Sequence, residues 1–541
     1  MATSTEPSPD VEPPLGADKA DTAGTVGGID DIKVVDVGDV VPDGRDDQVD
    51  TRPNPLPVRT IALGTAGSLM ILLSAFGAAG TLISDPVLGN SALSWIRYGH
   101  GQMLATATLY LGFGLVVWAW VRLGRHVLAG RVGSRPVLVA AACWMAPLVF
   151  SPPVFTRDVF SYLAQGTLPL YGQDPYAVGP IVLNLQQVVQ NVHPFWQTTP
   201  APYGPMFILL AKGVAWVTGT NMILGVILMR LVLMIGLGLL VWALPGLVRH
   251  LGGHLPTTLW LAVAGPMTVV HLVGGPHNDL LMVGFLAAGV LCVLERKHVL
   301  GIALVTLAAA VKATAALALP FLVWVWAGHL KSTFWKNFTR AVAAAVATTV
   351  VTFTAATLLA GVNLGWVKAL QAPTMIVNWL SLPTAVGEFA HTVADLFFDS
   401  NKAWFVNTTR VLGGILFFVI AARQWWRARH GGADAVRRAA FVLFAVAVLS
   451  PATLPWYLTW GFVIAAALPW QRTRLAVVVG AAVFLVLTYS PAGEDLLYNW
   501  PFIACALAVS VLAGVSLLRQ DPLRLFDDRH ELVQVKVPTK V

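Results

Sequence analysis

Long apolar runs recur along the chain, separated by short loops that carry the charge. They fall at 60–83, 103–121, 136–152, 222–247, 256–273, 279–294, 299–311 with 316–330, 341–361, 405–421, 440–452, 457–470, 475–489 and 501–518. A helix needs roughly 20 residues to cross a bilayer, and backbone groups in lipid must pair within their own segment. The pattern therefore predicts an all-α polytopic membrane protein with about 13–15 transmembrane helices.

Loop charge orients these helices. Basic clusters lie at Arg122/Arg125/Arg131/Arg135, Arg249/His250, Arg296/Lys297, Lys331/Lys336/Arg340, Arg423 to Arg438, Arg472/Arg474 and Arg519/Arg524. Cytoplasmic loops collect Lys and Arg, so all of these belong inside, and the N-terminal tail with them. The outer side then gathers 85–102, 153–202, 274–279, 362–404, 453–457 and 490–500.

Two segments disturb this alternation. Residues 203–219 are apolar enough to cross, yet crossing would put Arg249 and His250 outside. They are expected to lie on or re-enter the outer face, making 153–219 an outer loop with interfacial helices. The 299–330 stretch carries Lys312 in its middle, where a lipid-facing ammonium is costly. A hairpin of two short helices brings Lys312 near the outer face.

Composition agrees: 56% of the 541 residues are hydrophobic and 12% charged, with a mean hydropathy of +0.69. Residues 1–59 hold 13 acidic and 5 basic residues, a net of −8; the remainder holds 30 basic and 15 acidic, a net of +15. The spread of these cations over short loops excludes nucleic acid as the partner. Rich in Pro, Gly, Asp and Thr, residues 1–59 are expected to be a disordered acidic cytoplasmic tail. Residues 60–518 form the transmembrane domain and 519–541 a cytoplasmic C-terminal tail. No signal peptide is read at the N-terminus. Cys143, Cys292 and Cys505 lie inside apolar segments, supporting neither a disulfide framework nor a Cys-based metal site.

Chemistry concentrates on the outer side. Asp158 stands in Thr156-Arg157-Asp158-Val159-Phe160-Ser161-Tyr162, just after an apolar span. A carboxylate at a membrane edge is costly and usually functional; near a sugar hydroxyl it serves as a general base. The plainer role is an ion pair with Arg157 or an N-cap for a helix beginning at Val159. His277-Asn278-Asp279 opens a later span and offers sugar hydrogen bonds or a helix N-terminal charge. Lys312, Arg157 and Arg230 are candidate phosphate partners. Trp456-Tyr457, after Pro455, offers aromatic faces to a sugar ring. Nothing in the spacing demands a metal, and no nucleotide fingerprint or cofactor is expected.

The runs Arg157 to Tyr162 and Gly275-Pro276-His277-Asn278-Asp279, with Lys312 and Pro455-Trp456-Tyr457, together resemble one family. It is that of the actinobacterial polyprenol-phosphomannose-dependent alpha-1,6-mannosyltransferases, most closely the B type, within the membrane glycosyltransferases of the GT-C fold. The resemblance covers most of 60–518. It implies inverting transfer of mannose from polyprenyl-phosphomannose to a lipid-anchored α-1,6-mannan acceptor, the backbone of lipomannan and lipoarabinomannan. It implies Asp158 as the catalytic carboxylate in the first large periplasmic loop. Arg157, Tyr162, His277, Asn278, Asp279, Lys312, Trp456 and Tyr457 are the expected substrate-binding residues. That loop follows the third span here, rather than the first; Asp85, in a Ser-Asp-Pro turn, is the rival base. Other classes are an arabinosyltransferase using a decaprenyl phosphate donor and a lipid or sugar transporter. A transporter would show internal repeats and a charged midplane path, and no repeat is evident.

Overall fold

The computed structural model describes residues 55–89, 91–519 and the pair Leu532–Val533. The acidic tail, save its last residues, and most of the C-terminal tail lie outside the described residues. Among the described residues, fourteen α-helices of seven or more residues follow the apolar pattern of the sequence, joined by three that it does not mark as spans, at 158–167, 205–218 and 382–395. In chain order they are α1 (Val58–Ala78), α2 (Gly99–Leu128), α3 (Ser134–Leu148), α4 (Asp158–Thr167), α5 (Pro205–Thr218) and α6 (Met222–Leu251). Then come α7 (Leu255–Ala262), α8 (Asp279–Leu294), α9 (His298–Val311), α10 (Leu319–Gly328), α11 (Phe334–Ala360) and α12 (Leu382–Asp395). Last are α13 (Lys402–Arg427), α14 (Gly432–Leu449), α15 (Thr459–Ala465), α16 (Arg472–Leu487) and α17 (Trp500–Leu518).

The apolar segments divide by length. Six of them, α1, α2, α6, α11, α13 and α17, are single helices long and apolar enough to cross a membrane. A seventh span arises if α7 and the π-helical turn Met267–Gly274, bent by 43°, count as one. Five further apolar helical segments among the described residues are shorter, 10–17 residues. The protein is a multi-pass membrane protein of all-helical type. Pro266 precedes the π turn, and a wider turn of this kind often marks a functional site.

Contacts sort the loops onto two ends. At one end Arg472 donates to the Leu128 carbonyl at 3.4 Å, Arg437 donates to Leu251 at 3.3 Å, and Arg249 lies 3.5 Å from Glu295. His298 and His329 meet there too, with ring nitrogens 2.8 Å apart. That contact joins the start of α9 to the end of α10, so the two helices fold back as a hairpin. Lys312 stands at its turn, in extended backbone (φ −146°, ψ 121°). The α5 helix starts at the same level, Gly204 N–H donating to the Val311 carbonyl. Its Lys212 reaches the carbonyl of Ala360 at the end of α11.

Close packing fixes the scaffold around the site. Gly236 of α6 and Gly284 of α8 face one another so tightly that an added Cβ would strike backbone on either side; small residues permit such approach in membrane bundles. Trp120 and Trp260 stack at 5.2 Å, and each indole N–H donates to the other's carbonyl.

Candidate active site

The helix α4 begins at Asp158 itself, with Arg157 as its N-cap residue. Asp158 is therefore the first residue of the helix and not an N-cap. Its own N–H donates to the Thr156 hydroxyl at 3.1 Å. The approach to it is unusual: Phe155, fully buried, has φ +60° and donates its N–H to the Pro491 carbonyl at 2.9 Å. A bulky residue at positive φ is held only where its surroundings over-determine it, and such residues cluster at functional sites.

One Asp158 oxygen, Oδ2, collects two neighbours. The His277 Nδ1 lies 3.4 Å away and the Tyr162 hydroxyl donates to it at 3.5 Å. The Asp158 side chain keeps 22% exposure while His277 has none. Behind it, the His277 ring stacks on Trp456 at 3.8 Å between centroids, with His271 at 6.0 Å.

A second ion pair lies alongside. The Lys312 ammonium, at the hairpin turn, donates to both Asp279 oxygens at 2.8 and 2.9 Å. The Trp460 indole N–H donates to Oδ1 of the same carboxylate at 2.5 Å. Lys312 also lies over the rings of Tyr457, at 4.4 Å, and Trp460, at 5.3 Å. Asp279 is fully buried, so its charge is held by these donors rather than by water.

These groups border a cavity of about 470 Å³. Asp158, Arg157, Lys312, Trp456 and Tyr457 line it, as the sequence suggests, joined by Trp196, Tyr203, Tyr489, Glu494 and Asp495. Burial pulls the Arg157 guanidinium below its ordinary value, and the charge of Glu494 opposes that. Burial raises the Asp495 carboxyl, partly offset by the Leu497 N–H that it accepts at 2.7 Å. The cavity thus brings a guanidinium, an ammonium, a partly exposed carboxylate, further acidic groups and aromatic rings around one space.

Other expected residues take supporting positions. Tyr162, His277, Asn278 and Asp279 are buried, at 0–1% exposure, and stand behind the lining residues. Among the described residues neither polar atom of the Asn278 side chain finds a hydrogen-bond partner. Arg230 is not a phosphate partner: fully buried, it donates to the carbonyls of Val149, Val273 and Gly274. The bent π turn frees those last two carbonyls, and the guanidinium satisfies them. Asp85 accepts the N–H groups of Val87 and Leu88 and faces Arg97 at 3.7 Å, a turn residue outside the cavity. Groups of three or more His, Cys, Asp or Glu able to hold a metal do not occur among the described residues.

Comparison with known proteins gives this arrangement a family. A family model described as alpha-(1->6)-mannopyranosyltransferase, N-terminal domain, matches residues 61–328. One described as the MptB C-terminal domain matches residues 383–519. The chain is 40% identical to alpha-(1->6)-mannopyranosyltransferase A of Mycobacterium tuberculosis over 478 residues, 88% of this chain and 92% of that one. It is 31% identical to the protein of the same description from Corynebacterium glutamicum over 471 residues, 82% of this chain and 96% of that one. No solved structure matches. The C-terminal model bears the B label and these two relatives the A label, so the matches do not separate the types. Two domain models in order, and a relative matched along nearly its whole length, make this chain a member of the alpha-(1->6)-mannopyranosyltransferase family, membrane glycosyltransferases of GT-C type.

Proposed function

We propose that the chain moves mannose from polyprenyl-phosphomannose to the 6-hydroxyl of a lipid-anchored α-1,6-mannan acceptor, with inversion, on the outer side of the cytoplasmic membrane. The carrying observation is the cavity wall where Asp158, partly exposed, stands beside Arg157. The relatives' names support the sugar and the linkage. The orientation rests on loop charge: the end holding Arg249, Arg437 and Arg472 faces the cytoplasm.

In this reaction the acceptor oxygen attacks the mannosyl anomeric carbon as the bond from that carbon to the phosphate oxygen breaks. The hydroxyl proton passes to Asp158, a step worth typically 10²–10⁴-fold. The polyprenyl phosphate leaves carrying the bonding pair. Arg157 stabilises that growing charge, with Lys312 contributing less because Asp279 already neutralises it. Asp279 is a poor rival base, since its buried carboxylate accepts three donated hydrogen bonds.

Purified protein in lipid, given polyprenyl-phosphomannose and a short α-1,6-mannoside, tests this. Wild type extends the acceptor and Asp158→Asn does not. Equal extension by both would remove Asp158 as base. Extension from a decaprenyl-arabinose donor instead would replace the donor assignment.

A further inference from the structure

A second recess lies at the same end of the bundle as the catalytic cavity. It is an open groove of about 890 Å³ between the loop after α1, the 187–191 segment and the start of α6. Tyr98, Gln187, Gln190, Asn191 and the Asp85–Arg97 pair line it. Its floor continues into an apolar slot of about 180 Å³ lined by Phe76, Phe150, Phe160, Ile223 and Val226. Leu82, Asp85, Met222, Ile223 and Ile227 border both.

The chemistry of the groove selects its occupant. Its cation, Arg97, is already matched by Asp85 at 3.7 Å and by the Leu82 carbonyl, so no free charge there calls for a phosphate. The Gln187 and Gln190 amides and the Tyr98 hydroxyl instead suit neutral hydroxyl groups, each of which donates and accepts, while the Asn191 amide is held by the Ile83 N–H and the Gln187 carbonyl. The slot beneath asks for hydrocarbon. One turn further along α1 and α6, Leu73 and Leu231 are exposed at 68% and 47%, extending the apolar track toward the middle of the bundle. A molecule with a sugar head and an acyl chain matches both parts.

The groove also touches the catalytic segment. Arg157 donates to the Asn191 carbonyl at 3.1 Å, and the Asn191 side chain accepts the Ile83 N–H at 2.9 Å. Phe160, in the slot, is two residues from Asp158 on α4.

We propose that this groove and slot form a second site, which binds the lipid-anchored end of the acceptor glycolipid while its growing end enters the catalytic cavity. The assignment rests on the proposed acceptor class. Binding at two places raises the effective concentration of the growing end at Asp158.

The test uses the full chain in nanodiscs and native mass spectrometry. Its probes are a diacylglycerol bearing an α-1,6-dimannoside and a phosphatidylglycerol with the same chains. Wild type retains the mannosylated lipid preferentially, and Ile223→Trp and the pair Gln187→Ala with Gln190→Ala each reduce that retention about tenfold. Those variants raise the apparent KM for the lipid-anchored dimannoside by a similar factor and leave transfer to the soluble dimannoside unchanged. Equal retention of the two lipids by wild type, or undiminished preference in both variants, overturns the site. So does a matched loss on soluble and lipid-anchored acceptors. Preferential retention without any mannosyl transfer would sustain the site and count against the proposed reaction.

Discussion

Lys312 and Asp279 meet through both carboxylate oxygens, at 2.8 and 2.9 Å, at the turn of the α9–α10 hairpin. This pairing alters what the lysine can do. Removing either partner alone leaves an uncompensated charge in a buried place, a loss of about 3–5 kcal/mol, whereas neutralising both together costs far less. Lys312→Ala is therefore expected to destabilise the fold, and Lys312→Met with Asp279→Asn to recover most of that loss. Thermal unfolding of the singles and the double in one detergent measures the coupling. Additive losses would show that the pair is not a unit.

His277 is expected to act through Asp158. His277→Phe keeps an aromatic ring against Trp456 but removes the nitrogen 3.4 Å from the carboxylate. Turnover should fall about 10²-fold with the donor KM little changed. A shift in the pH–rate profile would accompany it, which simple loss of packing would not produce.

Gly493, in the cavity lining, packs against the segment that carries Asp158. It has φ +91°, and a Cβ there would come within 2.9 Å of Thr156 Cα and 3.2 Å of Arg157 N. Gly493→Ala must displace Thr156 and with it Asp158. A displacement near 1 Å costs about 10²-fold in rate. Parallel assays of turnover and donor binding check this, the expected result being a turnover loss larger than the loss in binding.

Asp495 carries a pH signature. Burial raises its carboxyl above the ordinary 3.8, so the folded state holds the proton more tightly than the unfolded chain does. Ionisation therefore costs stability at neutral pH, and that cost fades as pH falls through the raised value toward 3.8. Asp495→Asn, which can still accept from Leu497, should raise the melting temperature at neutral pH and give no gain near 3.8. A gain independent of pH would contradict the assignment.

Much of this was legible in the sequence because membrane folding leaves a long-period signal. The apolar run 279–294 is α8 residue for residue, and the break at Lys312 followed from the cost of a central ammonium. Asp158 stood out for the same reason. What the sequence did not disclose depends on contacts far apart along the chain. Trp460 reaches Asp279 across 181 positions, and Tyr489 and Tyr203 enter the cavity from opposite halves of the chain. Arg230 looked like a phosphate ligand because two of the three carbonyls that claim it belong to a bent turn no local pattern announces. The α12 helix went unmarked because its apolar residues are interrupted within a loop-like outer segment.

The short α9 helix has a consequence for the depth of the site. Fourteen residues rise about 21 Å, less than the roughly 30 Å of hydrocarbon in a typical bilayer. With its His298 end at the inner surface in the proposed orientation, the Lys312 turn stops below the level of the outer headgroups. Val305, Ala308 to Val311 and Phe321 to Val325 are buried, so neighbouring helices rather than lipid surround the turn, and the mismatch leaves a recess within the protein instead of a thinned bilayer. That recess is the cavity that Lys312 shares with Asp158, so a phosphate entering it would stand below the outer headgroups while still inside the protein.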